Sequence, residues 1–190
     1  EVTPELLKEF KPDAAILATG STPLILPIKG LSECGFITAH DMLDGKAQIG
    51  AKALVVGGGM VGCEAAEFLA ERGHQVAVIE MKDVIGADVV PENKPFLFAN
   101  FDKHHVDLRP GAKVSEFFTD GVSYALADGT EGELRGFDNI ILAMGSRSYN
   151  PLEETVKEFV PEVIVIGEAV KSPGNACIST GEALNAALSL

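Results

Sequence analysis

AKALVVGGGMVGCEAAEFLAERGHQVAVIE, residues 51–80, is the stretch that decides the fold. Ala51–Val56 is a short apolar run stopped by Gly57-Gly58-Gly59, and it reads as a buried strand. Over Met60–Arg72 the period changes to that of a helix, with Val61, Ala65, Phe68 and Leu69 on one face and Glu64, Glu67 and Glu71 as a polar stripe. Gly73 closes the helix, where a left-handed residue ends the last turn. Gln75–Glu80 is a second strand. Strand, helix, strand is one βαβ unit, and such units build parallel sheets with helices packed on their faces.

Within that unit Gly57-Gly58-Gly59-Met60-Val61-Gly62 matches G-x-G-x-x-G, after a strand and at the start of a helix. The three motif glycines do different things. Gly57 permits the tight turn, Gly59 lets a diphosphate approach the backbone, and Gly62 lets helix and strand pack closely. The helix N-terminus then offers unpaired N–H groups and partial positive charge. Glu80 lies 23 residues after Gly57, where an acid hydrogen-bonds the ribose hydroxyls of a dinucleotide. It would repel a 2′-phosphate. No Arg follows it, and Lys82 alone is a weak phosphate clamp, so NADH is favoured over NADPH. Met60 and Val61 in the turn, and Met81 and Lys82 beside the acid, complete the expected NADH contacts from this stretch. The competing reading is a structural turn with Glu80 as a solvated strand end. Strand, glycines, helix and acid together weigh against it.

Outward from this unit, Thr3–Phe10 reads as a helix capped by Thr3 with Pro4 at its first position. Asp13–Ala18 reads as a strand, residues 19–31 as a loop, and Phe36–Ala39 as a short run leading into a helical turn at His40–Leu43. A helix is expected over 92–105, with Pro95 near its first turn, then a strand at Val106–Leu108. Asp120-Gly121 and Asp128-Gly129 separate Lys113–Phe117, Val122–Leu126 and Glu131–Arg135 as an antiparallel meander. Asn139–Ala143 and Val163–Ile166 are further buried strands, and 178–190 is a helix. DAAILATG (13–20) and DNIILAMG (138–145) repeat one form, which suggests two nucleotide-binding units. The fold class is therefore α/β: a Rossmann-like three-layer fold with a parallel sheet, flanking helices and a small antiparallel meander.

Composition narrows the function. In 190 residues, 15 Lys+Arg against 28 Asp+Glu leave a net charge of -13, which disfavours nucleic acid and anionic membrane as partners. No apolar run approaches the ~20 residues of a membrane span. Cys34, Cys63 and Cys177 form no C-x-x-C pair, which suits a reducing cytoplasm and supplies no four-cysteine metal site. Cys63 reads as a small buried hydrophobe. His104 and His105 read as a stabilised helix end. Residues 83–91 are either a cofactor-covering loop or a simple connection. The chain opens on Glu1 in mid-pattern, which suggests an excised piece of a longer polypeptide.

Four stretches carry a resemblance: PDAAILATGSTP (12–23), VVGGGMVGCEAAEFLAERGHQVAVIE (55–80), DNIILAMGSRSYN (138–150) and EVIVIGEAVKSPG (162–174). In order and spacing they resemble the NADH:flavin oxidoreductases, the family of 2-enoate reductase and 2,4-dienoyl-CoA reductase, over their C-terminal FAD/NAD(P)-binding region. The resemblance implies an NADH domain at 49–150 set within FAD-type segments at 1–48 and 151–190. It places Ala18, Thr19 and Gly20 near FAD, Ala143, Met144 and Gly145 on the nicotinamide side, and Gly167 and Glu168 at the family's Gly-Asp motif. Glu168 departs from that motif's Asp. By the same resemblance Ile178–Ala183 begin the helix whose N-terminus faces the flavin. The family's first glycine motif, its flavin barrel with FMN and its iron–sulfur cysteines would lie upstream, so this piece is expected to hold FAD weakly or not at all.

The implied activity is hydride transfer from NADH to FAD, feeding reduction of an activated C=C bond in the intact enzyme. No side chain here is expected to be an indispensable acid or nucleophile, because the reactive chemistry belongs to the cofactors. The alternatives are an NADH oxidase or ferredoxin reductase type of flavoprotein, or a non-catalytic NADH-sensing module. A thioredoxin-reductase type is disfavoured by the missing C-x-x-C.

Overall fold

The strand–helix–strand unit of residues 51–80 is formed in the computed structural model, which describes residues 2–190. In chain order the elements are α1 (Pro4–Phe10), β1 (Ala14–Leu17), β2 (Ser21–Pro23), β3 (Ile37–Thr38), α2 (Ala39–Leu43), β4 (Lys52–Val56), α3 (Met60–Glu71), β5 (Gln75–Ile79), α4 (Lys94–Lys103), β6 (Asp107–Arg109), β7 (Ala112–Phe118), β8 (Gly121–Leu126), β9 (Glu131–Leu134), β10 (Asn139–Leu142), β11 (Ser146–Ser148), α5 (Glu153–Lys157), β12 (Glu162–Val165) and α6 (Ala176–Ser189), with a 3₁₀ turn at Gly167–Ala169. The chain divides into two units, one of Ile25–Gly145 and one of Glu1–Leu24 with Ser146–Leu190.

In the Ile25–Gly145 unit a parallel sheet runs β3-β10-β4-β5-β6. Its central strands are apolar without alternation because both faces are covered. Ala53, Val55, Val76, Val78 and Ile141 pack against helical residues such as Cys63, Leu69 and Phe101. Leu54, Val56, Ala77, Ile79, Ile140 and Leu142 pack the other way, against Ala112, Phe117 and Val122 of the meander β7-β8-β9. This is the three-layer arrangement expected, with helices on one face and an antiparallel meander on the other.

The unit boundaries differ from the expected 48/49 and 150/151. Residues 25–48 belong with the large sheet because Ile37 and Thr38 pair with Ile141 and Leu142. Ala39 and Met42 are buried in its core. Residues 146–150 belong with the other unit because β11 pairs with β2.

In the second unit β1 and β12 pair in parallel, and Leu7, Leu17, Val156 and Val160 form the core. Thr3 caps α1 as expected, its hydroxyl oxygen accepting from the Leu6 amide at 3.3 Å. The repeated sequence corresponds to β1 and β10, each a parallel strand followed by a glycine of positive φ, Gly20 at 76° and Gly145 at 100°. Three-residue strands β2 and β11 follow those glycines and pair antiparallel with each other. Neither was legible in the sequence, and nor was α5. No helix among the described residues is long and apolar enough to cross a membrane.

Candidate functional site

The glycine turn between β4 and α3 is built as its spacing requires. Gly57 adopts φ 107°, and a Cβ there would lie 2.2 Å from the Ala143 carbonyl oxygen. A Cβ on Gly62 would lie 1.8 Å from the Gly57 carbonyl oxygen, so the first turn of α3 rests directly on the loop. Gly59 is the N-cap of α3, extended and without a side-chain cap. Among the described residues the amides of Gly59, Val61 and Gly62 take no hydrogen-bond partner, and they open the helix N-terminus to an acceptor.

Glu80 follows β5 and turns back onto this loop. It is the one buried charged residue among those described, at 9% exposure. Its carboxylate accepts from the Gly58 amide at 2.6 Å and from the Lys82 amide at 2.8 Å. Those two bonds leave about two of a carboxylate's roughly four acceptor positions. Burial and the Gly58 contact make Glu80 part of the turn rather than a solvated strand end. Ala143 closes the opposite side: its amide donates to Val56 O at 2.8 Å, and Met144 packs partly buried beneath the sheet. Met60 and Met81 are exposed at 41% and 63%, apolar surfaces at the rim. Structure therefore gathers Gly57, Gly58, Gly62, Glu80 and Ala143 into direct contact, with Lys82 joined through its amide bond to Glu80 and Met81 only neighbouring that residue.

Residues 83–91 fold against the glycine turn. Gly86 N donates to Gly58 O at 2.6 Å, and Ile85 and Val89 are buried in the helical-side core. Asp88 Oδ1 accepts from the Met60 amide at 2.8 Å. Asp88 is the residue the sequence reading missed; the two positions lie 28 apart, and no local pattern links them. Cys63, in the same turn of α3, is fully buried, and burial with the nearby charges of Asp88 and Glu64 pushes its thiol up to about 11. Glu67 and Glu71 are tied by Asn100 Nδ2, at 2.8 and 2.9 Å, and so clamp α3 to α4. His104 is the C-cap of α4, the helix end foreseen for it.

The second unit has a cleft of about 440 Å³ lined by residues that include Ala18, Gly20, Gly167 and Glu168. Ser179, Thr180 and Ala183 of α6 supply its other wall, all three within the 178–183 stretch expected to face the flavin. Glu168 accepts from Ser21 Oγ at 2.8 Å and from Gly174 N at 2.7 Å. Gly167 N donates to Glu182 Oε2 at 2.6 Å. Thr19 and Ile178 are not part of the lining: Thr19 donates its hydroxyl to Tyr149 O, and Ile178 donates its amide to Asn175 Oδ1 at 2.9 Å. Among the described residues no group of three or more His, Cys, Asp or Glu side chains is arranged to hold a metal ion.

The chain is similar to known proteins over most of its length. The chain is 35% identical over 170 residues to an NADH oxidase of Thermoanaerobacter brockii, covering 87% of this chain and 26% of the relative. It is 30% identical over 174 residues to a cinnamate reductase of Clostridium sporogenes, covering 88% and 25%. Among solved structures, 2-naphthoyl-CoA reductase superposes with a TM-score of 0.84 at 28% identity, over 92% of this chain and 26% of that one. The chain thus spans about a quarter of the length of these relatives. The sequence profile of the pyridine nucleotide-disulphide oxidoreductases matches residues 5–160, and the chain belongs to that family.

Proposed function

We propose that Ile25–Gly145 binds NADH, with the diphosphate at the N-terminus of α3 and the adenosine ribose at Glu80. The observation that carries this is the placement of Glu80: buried, bonded to Gly58 and with acceptor capacity left, beside three unpartnered amides. In this reading Met60, Val61, Met81 and Lys82 border the adenosine half, and Ala143, Met144 and Gly145 border the nicotinamide half. A carboxylate at the ribose selects against a 2′-phosphate, so NADH is preferred to NADPH.

The unit of Glu1–Leu24 with Ser146–Leu190 contributes to an FAD site. The cleft beside Gly167 and Glu168 fits such a role, because small residues (Ala18, Gly20, Gly167) leave backbone accessible and Ser179 and Thr180 offer hydroxyls. When bound, FAD supplies the acceptor for the hydride of NADH. The residues here hold and orient, and no side-chain acid or nucleophile takes part in the transfer. In a longer polypeptide the electrons serve to reduce an activated C=C bond. Similarity to proteins named cinnamate reductase and 2-naphthoyl-CoA reductase supports that acceptor class. An NADH oxidase type of flavoprotein is the second reading, favoured by the 35% identical relative of that name.

Calorimetric titration with NADH and NADPH, on the parent and on Glu80→Ala, tests the nucleotide site. The expected result is binding of NADH, weaker binding of NADPH, and loss of that preference in Glu80→Ala. Equal affinity of the parent for both nucleotides would overturn the role of Glu80.

A further inference from the structure

We infer that Asp88 is a resident anion of the diphosphate site: its carboxylate caps α3 at Met60 until the diphosphate of a dinucleotide displaces it. The inference rests on the NADH reading above and adds a competitor inside the same chain.

Asp88 Oδ1 accepts from the Met60 amide at 2.8 Å, and Oδ2 lies 3.2 Å from where a Cβ on Gly59 would stand. The carboxylate therefore covers the second glycine of the motif, the position that a diphosphate must approach. Two residues earlier Glu80 already holds the Gly58 amide at 2.6 Å. With both in place, alternate amides of one turn carry a full negative charge each. A diphosphate entering beside them meets like charge at short range, and the repulsion is strong where water is partly excluded.

Glu80 is buried and doubly bonded, whereas Asp88 is exposed and holds a single amide. Asp88 is thus the carboxylate that gives way. Its backbone does not follow, because Gly86 N is bonded to Gly58 O at 2.6 Å and Ile85 and Val89 are anchored in the core on either side. The moving part is the Asp88 side chain, rotating into solvent, and not the whole of 83–91. Before displacement the carboxylate has a use: negative charge at a helix N-terminus satisfies an orphan amide and stabilises the helix.

Asp88→Asn tests this, since an amide oxygen can still accept from Met60 but carries no charge. NADH affinity is measured by calorimetry, and the Met60 amide resonance is followed by two-dimensional NMR in parent and variant. Asp88→Asn is expected to bind NADH about two- to fivefold more tightly, the range typical of one charge at a helix N-terminus. The Met60 resonances of the two proteins are expected to differ without nucleotide and to converge at saturating NADH. Equal or weaker binding by Asp88→Asn, or Met60 resonances that remain as far apart at saturation, would overturn the inference while leaving the NADH site standing. If neither protein binds NADH, the nucleotide reading fails and this inference falls with it. Asp88→Ser carries the same readouts should the Asn variant fold poorly by circular dichroism.

Discussion

The α-carbon of Gly62 sits so near the Gly57 carbonyl that a Cβ at position 62 would lie 1.8 Å from its oxygen. Gly57 in turn holds φ 107° against the backbone of Ala143, with 2.2 Å available to a Cβ. Helix, turn and the end of β10 are thus in contact through backbone alone. Gly62→Ala and Gly57→Ala should each destabilise the fold by about 2–3 kcal/mol, as overpacking at a rigid contact does. Urea unfolding followed by circular dichroism reads this directly. A loss below about 0.5 kcal/mol in both would contradict the close packing.

Glu80→Ala should cost about 1–3 kcal/mol of stability in the absence of nucleotide, because the Gly58 amide beneath it loses its acceptor at a buried site. Glu80→Gln keeps one acceptor oxygen and should lose less. Equal losses in the two variants would show that the Gly58 contact contributes nothing.

The three cysteines should differ in reactivity. Burial raises the thiol of Cys34, and burial followed by the charges of Asp88 and Glu64 raises that of Cys63 to about 11 from an ordinary 9.0. Cys177 is exposed. Alkylation with iodoacetamide near pH 8, read by mass spectrometry, should modify Cys177 and spare the other two until the protein unfolds. The sign of the pH effect follows. Between about pH 9 and 11 the unfolded chain gives up the Cys63 proton while the folded chain keeps it, so stability falls as pH rises through that window. A Cys63→Ala variant should show a shallower decline there; an unchanged decline would dismiss the linkage.

Asn100→Asp should loosen α3 from α4. The amide that now donates to both Glu67 and Glu71 would become a third carboxylate beside them. A loss of about 1 kcal/mol is expected, seen as a lower melting temperature and partly recovered at high salt, where repulsion between these partly exposed carboxylates is screened. A drop that salt leaves untouched would point to lost packing instead.

The elements that sequence reading found share one property: their signal is local. β4, α3 and β5 declare themselves by period and by the glycines between them, and the meander by Asp120-Gly121 and Asp128-Gly129. The ones it missed lack such a signal. β2 and β11 are three residues each, with no apolar alternation, and they exist because Ser21–Pro23 meets Ser146–Ser148 more than a hundred positions away. α5 has five residues and leans on a Glu153–Lys157 ion pair of 2.6 Å, too short a helix to show a period. The unit boundary at 24/25 was equally hidden, since it depends on Ile37 and Thr38 joining β10.

At the site, the sequence alone determined the glycine turn, the helix behind it and the acid at the next strand's end, because chain geometry over some 25 residues leaves a βαβ unit few alternatives. Only the tertiary structure decided that Glu80 is buried on Gly58, that Ala143 backs Gly57, and that Asp88 reaches Met60. Those contacts join separate segments, and which polar atom meets which amide is settled by how the layers pack, not by any pattern along the chain.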